Sequence, residues 1–300
     1  MKKDIVLKGC IPPIPTPFDE QGKVHYDQLA LNLEKWQKTP IVGFAVLGSN
    51  GEAVLLRADE KVQIWKTAGQ AIEGDYLFIA GAGCESTIET LDMSENAARC
   101  GAHAVLIVTP HYYKAKMDHQ ALVTYYTHIA DRSPVPVILY NMPASTGIDL
   151  PPDTILELAA HPNIIGLKES SGNLVKMAQV VAGAGEDFQV LAGSGSFLLP
   201  GLSVGARGGI MALACVAAHQ LAGIVSDFDH GRLEKAREMQ LRLLAANAAV
   251  TTRFGVPGLK AAVDYMGMYG GPVRGPLLDL GPGQRKEVRT IMVTAGILKG

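Results

Sequence analysis

The chain has few cysteines and no long apolar run. Its four cysteines, Cys10, Cys84, Cys100 and Cys215, lie far apart and form no C-x-x-C pair. This spacing is typical of reduced thiols in a cytosolic protein and argues against a disulfide framework or a zinc site. No apolar stretch approaches the ~20 residues that a membrane helix requires, and the first residues resemble neither a secretory nor a mitochondrial leader. We therefore expect a soluble, cytoplasmic protein.

Charge is also scarce. Charged residues make up 19% of the chain, and the formal net charge is −2. This balance favours neither nucleic acid nor an acidic membrane surface as a partner. The eight histidines show no H-x-H or H-E-x-x-H spacing, so we predict no metal site.

The chain is rich in short apolar runs, each followed by a polar turn and, in most cases, a helical pattern. The predicted strands are Gly9–Pro13, Ile41–Leu47, Tyr76–Ala80, Ala104–Val108, Val135–Leu139, Ile164–Lys168, Phe188–Leu191 and Gly208–Ala212. Apolar, β-branched runs without alternation fit parallel strands that are buried on both faces. A doubly wound sheet uses the same alternation of strands and helices. The number of units, eight, favours instead a TIM (β/α)₈ barrel over residues 1–229.

The pattern changes after Asp229. Three segments, Leu233–Ala249, Gly258–Met268 and Gln284–Ala295, are helical in character, and no strand lies between them. No Ser/Gly-rich linker separates them from the barrel. We therefore predict a C-terminal helical extension over residues 230–300, packed on the barrel.

Lys168 ends the sixth predicted strand, directly after the apolar run Ile164–Leu167. An amine at this position lies between apolar walls and a polar loop, where it can lose solvation and part of its affinity for a proton. A neutral lysine amine attacks carbonyl groups and forms Schiff bases. The alternative is an ordinary ion pair between Lys168 and Glu169 or another carboxylate at the rim.

Other polar residues follow neighbouring predicted strands. Ser49 and Asn50 follow the second, Tyr112 the fourth, Tyr140 ends the fifth, and Gly193-Ser194-Gly195 follows the seventh. In a barrel these positions meet at one mouth, where the active site lies, and this favours a reactive Lys168. Each residue also has a simpler interpretation. The Gly48–Gly51 segment is a turn or a small-anion nest, Tyr140 a core aromatic, and Tyr112 a rim or subunit contact.

Three motifs stand in order on these strands: Gly48-Ser49-Asn50-Gly51-Glu52, Tyr140-Asn141-Met142-Pro143 and Gly166-Leu167-Lys168. With them the chain resembles, nearly end to end, the dihydrodipicolinate synthase / N-acetylneuraminate lyase family. Members are class I aldolases and lyases that form a Schiff base with pyruvate, and they are typically tetramers. The resemblance implies a carbon–carbon lyase that acts on a small 2-oxo acid, needs no cofactor or metal, and assembles as a homotetramer (a dimer of dimers).

The resemblance also assigns roles. It implies that Lys168 is the Schiff-base lysine and Tyr140 the proton carrier. Ser49 would relay protons and, with Asn50, hold the pyruvyl carboxylate. Tyr112 matches the tyrosine that members lend to a neighbouring subunit's site. The remaining substrate-binding residues implied are Ser145, Ser170, Gly193, Ser194 and Met211.

Departures from the family patterns narrow the expected substrate. Ser145 stands where the synthases carry an arginine that binds their aldehyde substrate, and Gly193–Gly195 lacks the acidic residues of the sialic acid lyases. The pattern is most similar to that of the 4-hydroxy-2-oxoglutarate aldolases. Segments that share it include Gly83–Thr87, Leu191–Ser194, Asn247–Thr251, Arg253–Lys260 and Tyr269–Pro272.

These residues favour reversible cleavage of 4-hydroxy-2-oxoglutarate to pyruvate and glyoxylate. The alternatives are dihydrodipicolinate synthase, an aldolase for 2-keto-3-deoxy acids, and an oxaloacetate decarboxylase. From a different class of function, the chain could be a catalytically silent sensor of 2-oxo acids.

Overall fold

Nine parallel strands form the centre of the computed structural model, which describes residues 5–300. They are β1 (Gly9–Ile11), β2 (Pro13–Ile14), β3 (Gly43–Val46), β4 (Leu77–Gly81), β5 (Ala104–Val108), β6 (Val137–Asn141), β7 (Ile164–Glu169), β8 (Gln189–Ala192) and β9 (Gly208–Ile210). From β2 to β9 each strand pairs with the next, and β1 pairs with β9. The predicted TIM barrel is therefore confirmed. Residues 1–4, which the prediction included in the barrel, lie outside the described residues.

The first predicted strand is divided in two at Pro12. Proline has no amide hydrogen to donate to a ladder, and it is confined to edges and irregular positions. The Pro12 carbonyl still accepts a hydrogen bond from the Ala45 amide at 3.0 Å. As a result, β1 pairs with the last strand and β2 with β3, and together they close the ring.

Nine α-helices accompany the strands, and four more follow in the C-terminal part of the described chain. The first group is α1 (Tyr26–Trp36), α2 (Ala58–Ala71), α3 (Thr87–Arg99), α4 (His119–Arg132), α5 (Pro143–Thr146), α6 (Pro152–Ala159), α7 (Leu174–Gly183), α8 (Leu198–Ser203) and α9 (Ala218–Asp229). The second is α10 (Leu233–Arg242), α11 (Leu244–Ala248), α12 (Gly255–Tyr265) and α13 (Pro282–Thr294). A turn of π-helix, Ala249–Arg253, separates α11 from α12.

Short side chains fix where two of the barrel helices begin. The Ser86 hydroxyl accepts a hydrogen bond from the Glu89 amide at the start of α3. The Asp118 carboxylate accepts one from the Ala121 amide, at 2.9 Å, at the start of α4. Such caps satisfy amides that have no partner within the helix.

Two hydrophobic clusters divide the core. The inner one fills the barrel and the outer one lies between the strands and the helices. The inner cluster consists of Leu7, Ile11, Ala45, Ile79, Ala104, Leu106, Ile138, Tyr140, Leu191 and Ile210. Successive side chains of a strand point to opposite faces, so strands β1, β3, β4, β5, β6 and β8 each contribute to both clusters. Tyr140 therefore points into the barrel.

The C-terminal helices contact the barrel through buried polar side chains. The Asn32 side chain of α1 exchanges two hydrogen bonds, of 2.7 and 2.9 Å, with the backbone of Tyr269. The Gln240 side chain of α10 bonds to the Gly195 carbonyl and to the Leu199 amide. In the part of the chain that the structure describes, no helix combines the length and apolar character needed to cross a membrane.

Candidate active site

Lys168 and Tyr140 are neighbours on adjacent strands at the carboxyl end of the barrel. They are register partners in the β6–β7 pair. Both side chains are buried, with 3% and 5% of their surface exposed. The Lys168 Nζ lies over the tyrosine ring, 4.0 Å from its centroid. The structure therefore brings together the amine and the phenol that the sequence placed at the mouth.

The alternative ion pair between Lys168 and Glu169 does not form. Within residues 5–300, no carboxylate lies within ion-pair distance of Lys168, and Glu169 pairs instead with Lys176 at 3.0 Å. Glu169 follows Lys168 on the strand, so its side chain points to the opposite face. The alternative of a salt bridge to Glu169 at the rim is therefore wrong, and the lysine amine faces the barrel interior.

Ser49 extends the polar arrangement from the buried phenol to the protein surface. Its hydroxyl lies 3.3 Å from the Tyr140 hydroxyl, and either atom can donate the hydrogen bond. Ser49 is exposed, while Asn50 is partly buried. The two hydroxyls form a path along which a proton can move between Tyr140 and the mouth.

The turn that carries Ser49 and Asn50 lies between two strained residues. Leu47 and Glu52, with φ angles of 67° and 55°, are the non-glycine residues of positive φ within residues 5–300. Such conformations cost about 1–3 kcal/mol each, and they persist only where the surrounding structure holds them. The Thr16 hydroxyl supplies part of that support, because it donates a 2.6 Å hydrogen bond to the Gly51 carbonyl.

Behind the two strand ends lies a buried charged network. Glu169 is fully buried and accepts two hydrogen bonds from the Asn141 amide nitrogen, at 2.9 and 3.0 Å. Lys176 of α7 pairs with both Glu169 and Asp149. The Asn141 amide oxygen accepts from the Leu150 backbone at 2.9 Å. The network fixes the ends of β6 and β7, and with them the backbone that carries Tyr140 and Lys168.

Three neutral polar residues line the β7–β8 side. The Gly193 amide donates a 2.7 Å hydrogen bond to the Glu169 carbonyl. A β-carbon at Gly193 would overlap the Ser170 hydroxyl, so only glycine fits there. Ser194 accepts a 3.0 Å hydrogen bond from the Asn247 amide of α11. The Ser170 Oγ and the Asn247 Oδ1 are buried without a hydrogen-bond partner among the described residues.

Three of the predicted site residues stand apart from this cluster. Tyr112 is 77% exposed and stacks edge-on with Tyr113 at 5.0 Å between ring centroids. Its amide donates to the Glu85 carboxylate, but its hydroxyl has no partner within residues 5–300. Ser145 is exposed on α5. Met211 is fully buried in the outer hydrophobic cluster.

Sequence reasoning did not identify Lys176 or give Asn247 a role. Strand alternation could have indicated a partner such as Lys176. Asn141 and Glu169 directly follow Tyr140 and Lys168, so their side chains face away from the barrel interior, toward the helices. Asn247 lies in one of the segments on which the resemblance was based, yet nothing in the sequence placed it beside Ser194. Within the described residues, no group of three or more His, Cys, Asp or Glu side chains is arranged to hold a metal ion.

Comparison with known sequences identifies similar proteins over nearly the whole chain. Residues 6–295 match the sequence model of the dihydrodipicolinate synthetase family. A 4-hydroxy-tetrahydrodipicolinate synthase from Thermoanaerobacter sp. is 32% identical over 295 residues, which cover 98% of each protein. A protein of the same name from Geobacter metallireducens is 34% identical, covering 96% of this chain and 98% of its own.

Solved structures agree with the sequence matches. Dihydrodipicolinate synthase from Cyanidioschyzon merolae, solved with bound lysine, has a TM-score of 0.92 and 29% identity, covering 97% of this chain and 99% of its own. The chloride-inhibited dihydrodipicolinate synthase from Acinetobacter baumannii, complexed with pyruvate, has a TM-score of 0.92 and 27% identity. That likeness covers 98% of this chain and 100% of the other.

Proposed function

This chain belongs to the dihydrodipicolinate synthetase family, and we propose that it is a class I aldolase that reversibly cleaves 4-hydroxy-2-oxoglutarate to pyruvate and glyoxylate. One observation carries the proposal most directly. A buried lysine amine, without a carboxylate partner, lies against a buried tyrosine whose hydroxyl is within reach of Ser49. An amine that condenses with a carbonyl and a phenol that moves protons are the two groups that Schiff-base cleavage requires.

In the proposed mechanism, the Lys168 amine attacks the 2-oxo carbon, and loss of water gives an iminium. Tyr140 removes the proton from the C4 hydroxyl while its own proton passes through Ser49 to the mouth. The C3–C4 bond then breaks and its electron pair moves into the iminium, which releases glyoxylate and leaves an enamine. Tyr140 returns its proton to C3, and water releases pyruvate from Lys168.

The pyruvyl carboxylate is assigned to the turn at Ser49 and Asn50. Successive backbone amides in such a turn form a concavity that binds anions. The 3.3 Å contact between the Ser49 and Tyr140 hydroxyls places this turn beside the phenol. In the proposed complex, the same serine contacts the carboxylate and relays protons for Tyr140.

Lys114 supplies a cation for the second carboxylate of the substrate. Its Nζ lies 3.6 Å from the position that a β-carbon on Gly147 would occupy. Gly147 ends α5, the short helix that carries Ser145. Lys114 has no ion-pair partner within residues 5–300, so its charge is available to a ligand carboxylate. A dicarboxylate such as 4-hydroxy-2-oxoglutarate fits a mouth with a charged group on this side.

The second candidate function is 4-hydroxy-tetrahydrodipicolinate synthesis, which the names of the relatives favour. The uncharged Ser145 stands where the synthases carry an arginine, and this favours the aldolase. Two further family reactions, cleavage of 2-keto-3-deoxy acids and decarboxylation of oxaloacetate, use the same Schiff base. A silent sensor of 2-oxo acids would need none of the proton path between Tyr140 and Ser49.

Two experiments test the proposal. Incubation with pyruvate and borohydride, followed by peptide mass spectrometry, should yield an adduct on Lys168, and the Lys168→Ala variant should yield none. Absence of the adduct in the unaltered protein refutes the Schiff-base proposal.

A panel of 2-oxo acids, scored for pyruvate release, should give glyoxylate as the co-product. Activity only with aspartate semialdehyde and pyruvate would assign the chain to the synthases instead.

The proposed assembly is a homotetramer in which Tyr112 completes a neighbouring subunit's site. The exposure of Tyr112 and Tyr113, 77% and 71%, supports this, because large aromatic side chains are enriched at subunit interfaces. The absence of a cofactor or metal requirement and the cytoplasmic location remain predictions from the sequence.

A further inference from the structure

We infer that Lys260, in helix α12, is a positioning residue for the carboxylate-binding turn at Gly48–Glu52. The inference rests on the proposed function, which assigns that turn to the pyruvyl carboxylate. The Lys260 Nζ lies 2.6 Å from the Glu52 carboxylate, and each side chain is 1% exposed. A C-terminal helix thus contributes a buried charge to the turn that carries Ser49 and Asn50.

Both members of the ion pair are held by fixed surroundings. The second carboxylate oxygen of Glu52 accepts a 2.8 Å hydrogen bond from the Arg274 amide. The Lys260 Nζ donates a 2.6 Å hydrogen bond to the Pro272 carbonyl and lies 4.3 Å from the centroid of the Phe18 ring. Because so many partners converge on the pair, Glu52 has little freedom to move while Lys260 is present.

The backbone transmits this restraint to the substrate site. Glu52 has a left-handed φ of 55° and joins two short 3₁₀ turns, Ser49–Gly51 and Ala53–Leu55. Its amide donates to the Ser49 carbonyl at 3.1 Å. A non-glycine residue keeps such a conformation only when its environment holds it. Loss of the Lys260 contact should therefore allow the turn to relax, and Ser49 and Asn50 should lose their fixed positions.

Loss of a group that holds the bound substrate weakens substrate binding. For Lys260→Met we expect the pyruvate concentration that gives half-maximal borohydride trapping on Lys168 to rise ~10-fold. The kcat for cleavage should fall as well, because Ser49 also relays protons for Tyr140. The trapping assay reports pyruvate binding and Schiff-base formation without requiring cleavage of the full substrate.

Two further variants keep the test decisive if Lys260→Met folds poorly. Glu52→Gln is isosteric and weakens the same contact, so it should raise the half-saturating pyruvate concentration in the same direction, by a smaller factor. Lys260→Arg keeps the charge and should lie closer to the unaltered protein than Lys260→Met does.

Asn32→Ala is the matched control. Asn32 is also 1% exposed and also joins the barrel to the segment that follows α12, through two hydrogen bonds to Tyr269. It has no hydrogen bond to the turn at Gly48–Glu52. We expect Asn32→Ala to lower thermal stability without changing the half-saturating pyruvate concentration.

The outcomes separate the two claims. If the unaltered protein forms no adduct, the proposed function fails and this inference fails with it. If it forms the adduct, and Glu52→Gln and any folded Lys260→Met protein saturate at the same pyruvate concentration as the unaltered protein, the inference alone is overturned. An equal rise in Asn32→Ala also overturns it, because general loosening of the C-terminal segment would then explain the effect.

Discussion

Lys176 forms a buried ion pair with Glu169, the residue that follows Lys168 in the chain. The lysine side chain is 4% exposed and the glutamate is fully buried. The side chains of these two consecutive strand residues therefore point to opposite faces of the barrel wall. Lys168 faces the mouth, and Glu169 joins the strand to helix α7. The position of the Lys168 amine therefore depends on a charged network on the opposite face of its strand.

Removal of Lys176 should destabilise the protein strongly. Lys176→Met leaves the Glu169 carboxylate buried without its ion-pair partner, and breaking a buried pair in this way costs about 3–5 kcal/mol. Urea unfolding followed by circular dichroism measures the change in the free energy of unfolding. Arg237→Met is the control, because it removes an exposed pair with Glu234 and should cost less than about 1 kcal/mol. Equal losses in the two variants would contradict a structural role for the network.

Tyr140→Phe should separate Schiff-base formation from cleavage. The ring that contacts Lys168 is retained, but the hydroxyl that contacts Ser49, and that we propose carries the proton, is lost. Positioned acid–base groups typically contribute 10²–10⁴-fold in rate, so we expect kcat to fall by about that factor. Borohydride trapping of pyruvate should persist in part. A variant that cleaves substrate at the unaltered rate would exclude Tyr140 as the proton carrier.

Lys114→Met should weaken binding of the dicarboxylate substrate but not of pyruvate. A hydrogen bond to a charged group contributes about 1.5–3 kcal/mol, so KM for 4-hydroxy-2-oxoglutarate should rise about 10-fold or more. Lys116→Met is the matched control, because Lys116 lies in the same short turn but is not among the nearest neighbours of Gly147. If both variants change KM alike, the effect is a general loss of positive charge and Lys114 has no specific role.

Gly193→Ala should disturb the site and lower stability. The added β-carbon would overlap the Ser170 hydroxyl and lie 2.7 Å from the Glu169 carbonyl, so the end of β7 must shift. We expect a loss of about 1–3 kcal/mol, the usual cost of overpacking, together with slower trapping of pyruvate. Gly223→Ala provides the contrast. Gly223 lies inside α9, and no atom outside its own helix lies within 4 Å of the new β-carbon. This change should raise the free energy of unfolding by about 0.5–1 kcal/mol.

Cys84 should react slowly with alkylating agents below pH 9. Burial raises the pKa of its thiol from 9.0 to about 11. At pH 8 the thiolate fraction is then about 100-fold lower than in an ordinary cysteine, and only the thiolate is nucleophilic. Iodoacetamide labelling of the native protein, quantified by peptide mass spectrometry, checks this against the same peptide after unfolding. Equal labelling rates in the two states would contradict it.

The same shift predicts the pH dependence of stability. The unfolded thiol ionises near pH 9 and the folded thiol near pH 11. Above pH 9 the unfolded state therefore binds fewer protons than the folded state, so stability falls as the pH rises from about 9 to 11. Cys84→Ala should reduce this alkaline loss.

Much of the barrel could be predicted from sequence because its signals are local. The bounds of β5 agree with the predicted Ala104–Val108. The fifth predicted strand, Val135–Leu139, lies two residues too early. β6 starts after Pro136, which cannot donate a hydrogen bond to the ladder. Local patterns indicate a strand but do not fix where its hydrogen bonding begins.

The candidate site could be predicted in part, for a related reason. Tyr140 and Lys168 are the second-last residues of their strands and Ser49 follows a strand, so the topology alone brings them to one end of the barrel. The pair between Glu52 and Lys260 could not be predicted, because charged residues are almost always exposed unless paired. The two lie 208 positions apart (260 − 52), and the sequence contains nothing that identifies them as partners.

Because the first strand is divided at Pro12, the six residues Gly9–Ile14 close the ring. Cys10 pairs with Gly209, and Ile14 pairs with Val46, so both ends of the sheet depend on Gly9–Ile14. Without that short segment, β3 and β9 would each present an unpaired edge, and exposed edges of this kind recruit strands from other chains. The segment is synthesised before β3 to β9 but can pair with β9 only after about two hundred further residues have followed it. Until the ring closes, the sheet of the growing chain has two unpaired edges, and both can pair with strands of other chains.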